Sequence, residues 1–169
     1  MNYVTPTKTY AKGINFSDIL FWELFIIVIG IGLVAAVYTS IGLSSHWYQT
    51  LSLPWWSPPE WLFTLMWIIS FCLIGLTGYA GVRADNPRYI FSGLFAVGLI
   101  VNVMFAFWFF WYQNIVVGYS LLVLLTVVVL IQIIYLSTLK NRPGRISGGC
   151  LTLFLLWLIY LISIYSVLL

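Results

Sequence analysis

Five long apolar runs, separated only by short polar segments, constrain this chain more than anything else in it. They fall at roughly residues 16–41, 60–81, 87–112, 115–139 and 147–167. A helix crosses hydrocarbon with about 20 apolar residues, so each run is one crossing. The sequence predicts an all-α integral membrane protein, a five transmembrane helix bundle. Composition agrees: 63% of the residues are hydrophobic and 7% charged, with mean hydropathy +1.06. A soluble domain of this length could not solvate that surface. The first run is too long for the apolar core of a cleavable signal, and no small-residue cleavage site follows it. Residues 1–15 read as a mobile polar tail, and residues 16–169 as a single transmembrane domain.

The polar punctuation supports five crossings. Asn15 or Ser17 can cap the first helix, and Asp18 suits its N-terminal dipole. Asn86 and Pro87 read as cap and first helical residue of the third. Gln113-Asn114 is too short to join anything but antiparallel neighbours. Lys140 to Arg145 reads as the fourth loop, with the last helix starting near Ser147. Counting five crossings places all seven Lys and Arg on one side: Lys8, Lys12, Arg83, Arg88, Lys140, Arg142 and Arg145. The positive-inside rule then puts the N-terminus on the cytoplasmic or organelle-inner side. Arg83 and Arg88 read as anchors at the membrane edge. Gly32, Ala36 and Ser40 recur every four residues, and Gly75, Gly78 and Gly81 form a second smooth stripe. Both are spacings that let helices approach closely, within one chain or across a dimer seam.

Between the first two runs lies WYQTLSLPWWSPPEWLFTLMW, residues 47–67, with five Trp and three Pro in 21 positions. Proline fixes φ and removes a donor, so Pro54, Pro58 and Pro59 stiffen this loop. Ser57-Pro58-Pro59-Glu60 has the pattern of a capping box opening the second transmembrane helix. Trp47, Trp55, Trp56, Trp61, Trp67, Trp108 and Trp111 all gather on the cation-free side. Trp22 lies near the other side and Trp157 in mid-span. Two readings fit: an interfacial aromatic belt, or an aromatic-walled cavity beneath the Trp/Pro loop.

Little else in the chain points to chemistry. Cys72 and Cys150 form no disulfide framework and no metal spacing. His46 alone cannot build a metal site and reads as an interfacial polar residue. Glu23, one turn inside the first helix, can snorkel or pair with a cation. No paired carboxylates and no nucleophile–base set appears, so acid–base or nucleophilic catalysis has no candidate residues. Asn102 is an uncharged polar group deep in the third helix, costly unless hydrogen-bonded, to a neighbouring helix or to a ligand.

The loop pattern resembles the TspO/MBR family, the translocator and tryptophan-rich sensory proteins. That family carries W-Y-x-x-L-x-K-P-x-W-x-P-P-x-W and a further Trp six residues on. Trp47, Tyr48, Leu51, Pro54, Trp56, Pro58, Pro59, Trp61 and Trp67 fit it, with Leu53 in place of the Lys. In the third helix Asn102, Phe109 and Phe110 match N-x-x-W-x-x-x-F-F, with Phe105 in place of the Trp. Phe154, Leu155, Trp157 and Tyr160 follow the fifth-helix pattern. The resemblance runs from about Leu24 to Tyr165.

The resemblance implies a five-helix bundle, often a homodimer, that binds porphyrins or sterol-like apolar ligands for sensing or transport. It places the ligand among the helices, closed over by the first loop. Carried over by position, Trp56 lines the lid, Trp67 and Phe71 form one wall, Asn102 and Phe105 face them, and Trp157 and Leu161 complete the site. No cofactor is obligatory; a porphyrin or haem enters as ligand. The lipid bilayer is the remaining partner, and nucleic acid is not one. Leu161 stands where the family has a small Ala and narrows the pocket. Leu121 replaces the acidic residue often found in the fourth helix. The family's C-terminal sterol motif is missing its basic residue, and only the looser Leu130, Tyr135, Lys140 spacing remains. Two alternatives stay beside ligand binding: light-driven porphyrin degradation on stacked indoles, and a structural membrane protein whose pocket has closed.

Overall fold

The computed structural model describes residues 19–84 and 89–169. The tail, the Asn15/Ser17 cap with Asp18, and the Asn86-Pro87 helix start with Arg88 lie outside those residues. Six α-helices are described: α1 Ile19–Leu43, α2 His46–Gln49, α3 Glu60–Ala84, α4 Tyr89–Ala106, α5 Ile115–Thr138 and α6 Arg142–Tyr165. A π-helical segment, Phe107–Trp111, continues α4, and a 3-10 turn, Ser166–Leu168, ends α6. No strand occurs among the described residues. All but α2 are long and apolar enough to cross a membrane, with α4 and the π segment making one crossing. At about 1.5 Å rise per residue, 24 residues reach about 36 Å, beyond the roughly 30 Å hydrocarbon core.

These sequences are apolar on all sides, so no single stripe selects the packing face. Their hydroxyls are absorbed locally: Ser70, Ser120, Thr126 and Thr152 each donate to the carbonyl four residues earlier. That keeps polar hydrogens off the lipid. Going round the bundle the order is α1, α3, α6, α5, α4 and back to α1. The glycine stripes choose the seams. A Cβ on Gly32 would sit 2.6 Å from the Phe71 ring, and one on Gly81 would collide with that of Phe91. Gly75 and Gly78 likewise receive Phe25 and Phe95. At Gly32, Gly75, Gly78 and Gly81 the stripes form internal seams that admit rings from α1, α3 and α4.

Two helix starts differ from the sequence reading. α6 begins five residues earlier than Ser147, at Arg142. Asn141 explains this: its Oδ1 accepts from the Gly144 N–H at 2.8 Å, and its Nδ2 donates to the Ala84 carbonyl at 3.0 Å. Pro143 falls in the first turn, where its missing donor costs nothing. Charge density had made a capped first turn look like a loop. The second difference is at α3. The Phe63 N–H donates to the Pro59 carbonyl at 3.1 Å, so Pro59 is the cap residue. Ser57 Oγ is buried and finds no partner among the described residues, so the capping box does not form.

The α4–α5 turn follows the sequence. Asn114 Oδ1 accepts from Val117 N–H at 3.0 Å, and Gln113 takes φ 56°. The π segment before it gave no sequence signal. Its wider turn, closed by Tyr112 N–H donating to Phe107 O at 3.0 Å, aims Phe109 at Gly118 of α5 and Phe110 at Gly42 of α1.

Candidate functional site

Under the Trp/Pro loop the space between the helices is filled by rings. Phe63 meets Trp157 edge-on at 5.7 Å and Phe110 at 5.9 Å. Trp67 lies 6.2 Å from Phe63 and 6.3 Å from Phe105. Phe109 packs on Tyr165 at 4.4 Å and on Phe105 at 5.6 Å. Six of the seven sequence-predicted site residues are therefore buried: Trp67, Phe71, Asn102, Phe105, Trp157 and Leu161. Trp67, Phe71 and Phe105 form one cluster, which reaches Trp157 through Phe63. Leu161 is wholly buried. The sequence reading expects a cavity walled by these residues beneath the loop; rings pack together around Phe63, Phe110 and Trp157, while Trp67 and Phe71 also border an open cleft.

Trp56 is the member that the structure sets apart. Its side chain is 42% exposed, and neighbouring Trp55 is 91% exposed. Trp61 and Trp111 also turn away from the bundle. Trp55, Trp56, Trp61 and Trp111 thus follow the belt reading, while Trp47 packs inward on Phe109 at 5.7 Å. What Trp56 contributes inward is its backbone: the Tyr160 hydroxyl of α6 donates to its carbonyl at 2.6 Å. That bond ties the proline-stiffened loop to the bundle. Tyr48 on α2 packs against Phe110 at 6.1 Å. Burial pushes the Tyr48 hydroxyl above its ordinary range, with Tyr165 beside it partly offsetting this and Glu60 adding to it.

A more open concavity lies between the two helices that the Trp/Pro loop joins, its lining reaching Ser40 and Thr64 about one turn from the loop's ends. A cleft of about 280 Å³ opens between α1 and α3. Gly32, Ala36 and Ser40 form its α1 side, with Ile29, Leu33 and Thr39; Trp67 and Phe71 form its α3 wall, with Thr64 and Ile68. Trp67 and Phe71 stack at 5.7 Å with planes 23° apart; both are largely buried and border the cleft with part of their rings. Leu33 and Ile68 are exposed at its mouth, so it opens sideways out of the bundle. Two buried polar groups border it, Thr39 Oγ1 and Trp67 Nε1, and neither has a hydrogen-bond partner among the described residues.

The sequence had the ingredients of this cleft but not their use. The Gly32, Ala36, Ser40 spacing was read as a packing seam. Gly32 does seat Phe71, while the stripe as a whole also borders the cleft. Thr39 had no signal at all, because a threonine in an apolar run ordinarily donates to its own helix. Among the described residues no cluster of His, Cys, Asp or Glu could hold a metal ion.

Comparison with known proteins decides the family. A sequence model of the TspO/MBR family matches residues 24–167. The chain belongs to the TspO/MBR family. It is 30% identical over 107 residues to the tryptophan-rich protein TspO of Chlorobaculum tepidum, covering 61% of this chain and 66% of that one. It is 26% identical over 106 residues to a tryptophan-rich sensory protein of Cereibacter sphaeroides, covering 53% and 67%. It is 28% identical over 112 residues to the TspO of Archaeoglobus fulgidus, covering 64% and 71%. The matched stretch thus spans about two thirds of each relative. With five apolar crossing helices, this TspO/MBR member is a multi-pass integral membrane protein in a lipid bilayer.

Proposed function

We propose that this protein binds a flat apolar ligand of the tetrapyrrole or sterol class, for sensing or transport, and that the ligand enters from the bilayer between α1 and α3. The observation that carries this reading is the stacked Trp67–Phe71 face inside a lateral cleft. Offset stacking and large buried area are what an aromatic wall offers a flat ring. Small residues on the facing helix leave room for it.

The cleft's 280 Å³ sits at the low end of the roughly 300–1,000 Å³ typical of small-molecule pockets. A tetrapyrrole therefore enters edge-on, with part of its ring remaining between the helices and lipid. Its acidic edge points to the cation-free end, where water and the Ser40 hydroxyl are available to donate; the Thr64 hydroxyl already donates to the Glu60 carbonyl. A neutral ligand with one acceptor would also satisfy the Trp67 indole N–H. The cationic loops face the cytoplasm or organelle interior in this reading. One observation favours a second reading, a structural protein with a closed interior: Phe63, Trp157 and Leu161 fill the space below the loop.

The test is a titration of protoporphyrin into detergent-solubilised protein, read by Trp emission. Ligand binding at the cleft gives saturable quenching that Ala36→Leu, which fills the cleft, abolishes. Absence of saturable quenching in the unaltered protein removes the tetrapyrrole, and absence of binding by a fluorescent sterol as well favours the closed reading.

A further inference from the structure

We infer that Asn102 and Gln132 hold one buried water molecule between α4 and α5, in the interior of the bundle. Asn102 is 1% exposed, and neither its Nδ2 nor its Oδ1 has a hydrogen-bond partner among the described residues. An amide with neither end satisfied is costly in hydrocarbon. The sequence reading expected it to bond a neighbouring helix. The helix-to-helix bond is made instead by Gln132, whose Nε2 donates to the Leu94 carbonyl at 2.7 Å. Gly98 makes that reach feasible, since a Cβ there would lie 2.9 Å from Gln132 Nε2.

Asn102 and Gln132 border the same small cavity, of about 20 Å³. A water needs roughly 10–15 Å³ of such space and two to four polar partners. Everything else around the cavity is apolar or glycine: Ile74, Phe95 and Leu99 on one part, Leu125, Val129, Leu151 and Phe154 on the other. No charged group borders it, so nothing there recruits an ion. Its size rules out a larger polar guest. A water accepting from one amide and donating to the other gives Asn102 a hydrogen bond at one end of its side chain without moving a helix. It also gives Asn102 a role in positioning α4 behind Phe105, one turn on, rather than in touching a ligand.

A structure of the unaltered protein at a resolution that shows ordered water tests this directly. Expected is a single water within hydrogen-bond distance of both side-chain amides. A dry cavity, with Asn102 bonded directly to Gln132 or to a backbone carbonyl, overturns the inference. Thermal unfolding of Asn102→Leu, Gln132→Leu and the double variant gives an independent readout. A bridging water predicts that Asn102→Leu lowers Tm by about 2–4 °C, and that the double variant loses less than the two singles summed. A rise in Tm for Asn102→Leu, or strict additivity, contradicts it.

Discussion

Trp67→Ala separates the cleft from the loop more sharply than any other single substitution. Trp67 is 3% exposed and touches Phe63, Phe71 and Phe105. In a water-soluble core, truncating such a residue costs a transfer term and a cavity term, together about 3–5 kcal/mol. Here the transfer term nearly vanishes, because unfolded helices stay in detergent or lipid as apolar as the core. The cavity term remains. One flank of the indole already faces the cleft, so the new void is on the order of 100 Å³; at about 24 cal/mol per Å³ this gives about 2 kcal/mol. For a chain of this length that lowers Tm by about 4–8 °C. The same change removes half of the stacked face, so protoporphyrin binding should weaken at least about tenfold, equivalent to about 1.4 kcal/mol. Trp56→Ala is the control. Its indole faces outward while its carbonyl bond to Tyr160 survives, so stability should stay within about 0.5 kcal/mol and binding should not change. Thermal unfolding in detergent and Trp quenching measure both. If Trp56→Ala abolishes binding while Trp67→Ala leaves it intact, the reasoning is refuted.

Three further outcomes follow from the same geometry. Tyr160→Phe removes the bond to the Trp56 carbonyl and should cost about 1 kcal/mol, with faster proteolysis confined to the loop at residues 50–59; unchanged cleavage there contradicts the tie. Gly81→Ala forces its Cβ onto the Phe91 ring and should destabilise by about 1–3 kcal/mol, whereas Gly30→Ala, with nothing within 4 Å, should be neutral or stabilise by up to about 1 kcal/mol; thermal unfolding distinguishes them. Tyr48 has a hydroxyl raised by burial from its ordinary value of 10.0, so it contributes stability that is fully present below about pH 10 and is lost as pH rises through the folded value. Tyr48→Phe should flatten that part of the alkaline unfolding curve, and an unaltered slope contradicts it.

The five crossings were legible because hydrocarbon leaves a chain few choices. Runs of this length and polarity become helices, and Gln113-Asn114 reads in sequence as the short turn that it forms before α5. The start of α6 was not legible. Arg142 and Arg145 look like loop residues until Asn141 is seen to cap the helix and reach across to Ala84. The π segment was hidden too, since FWFFW has no period that distinguishes it from an α-helical turn. The direction of the indoles misled most. A proline-rich loop can point a Trp inward or outward with the same sequence, and the choice depends on what already fills the interior. Phe63, Trp157 and Leu161 fill it here, so Trp56 turns out. The wall pair Trp67 and Phe71 was legible through the family resemblance, which places both on one wall; lying four residues apart on α3, they share a helix face. Its facing side was missed because small residues were credited to packing alone.

The most direct measurement is an experimental structure of the protein in lipid with protoporphyrin bound. The account predicts ligand density between α1 and α3, lying against Trp67 and Phe71 with its outer edge past Leu33 and Ile68. Density beneath the first loop, with Phe63, Trp157 and Leu161 pushed apart around it and the α1–α3 seam closed, would contradict it.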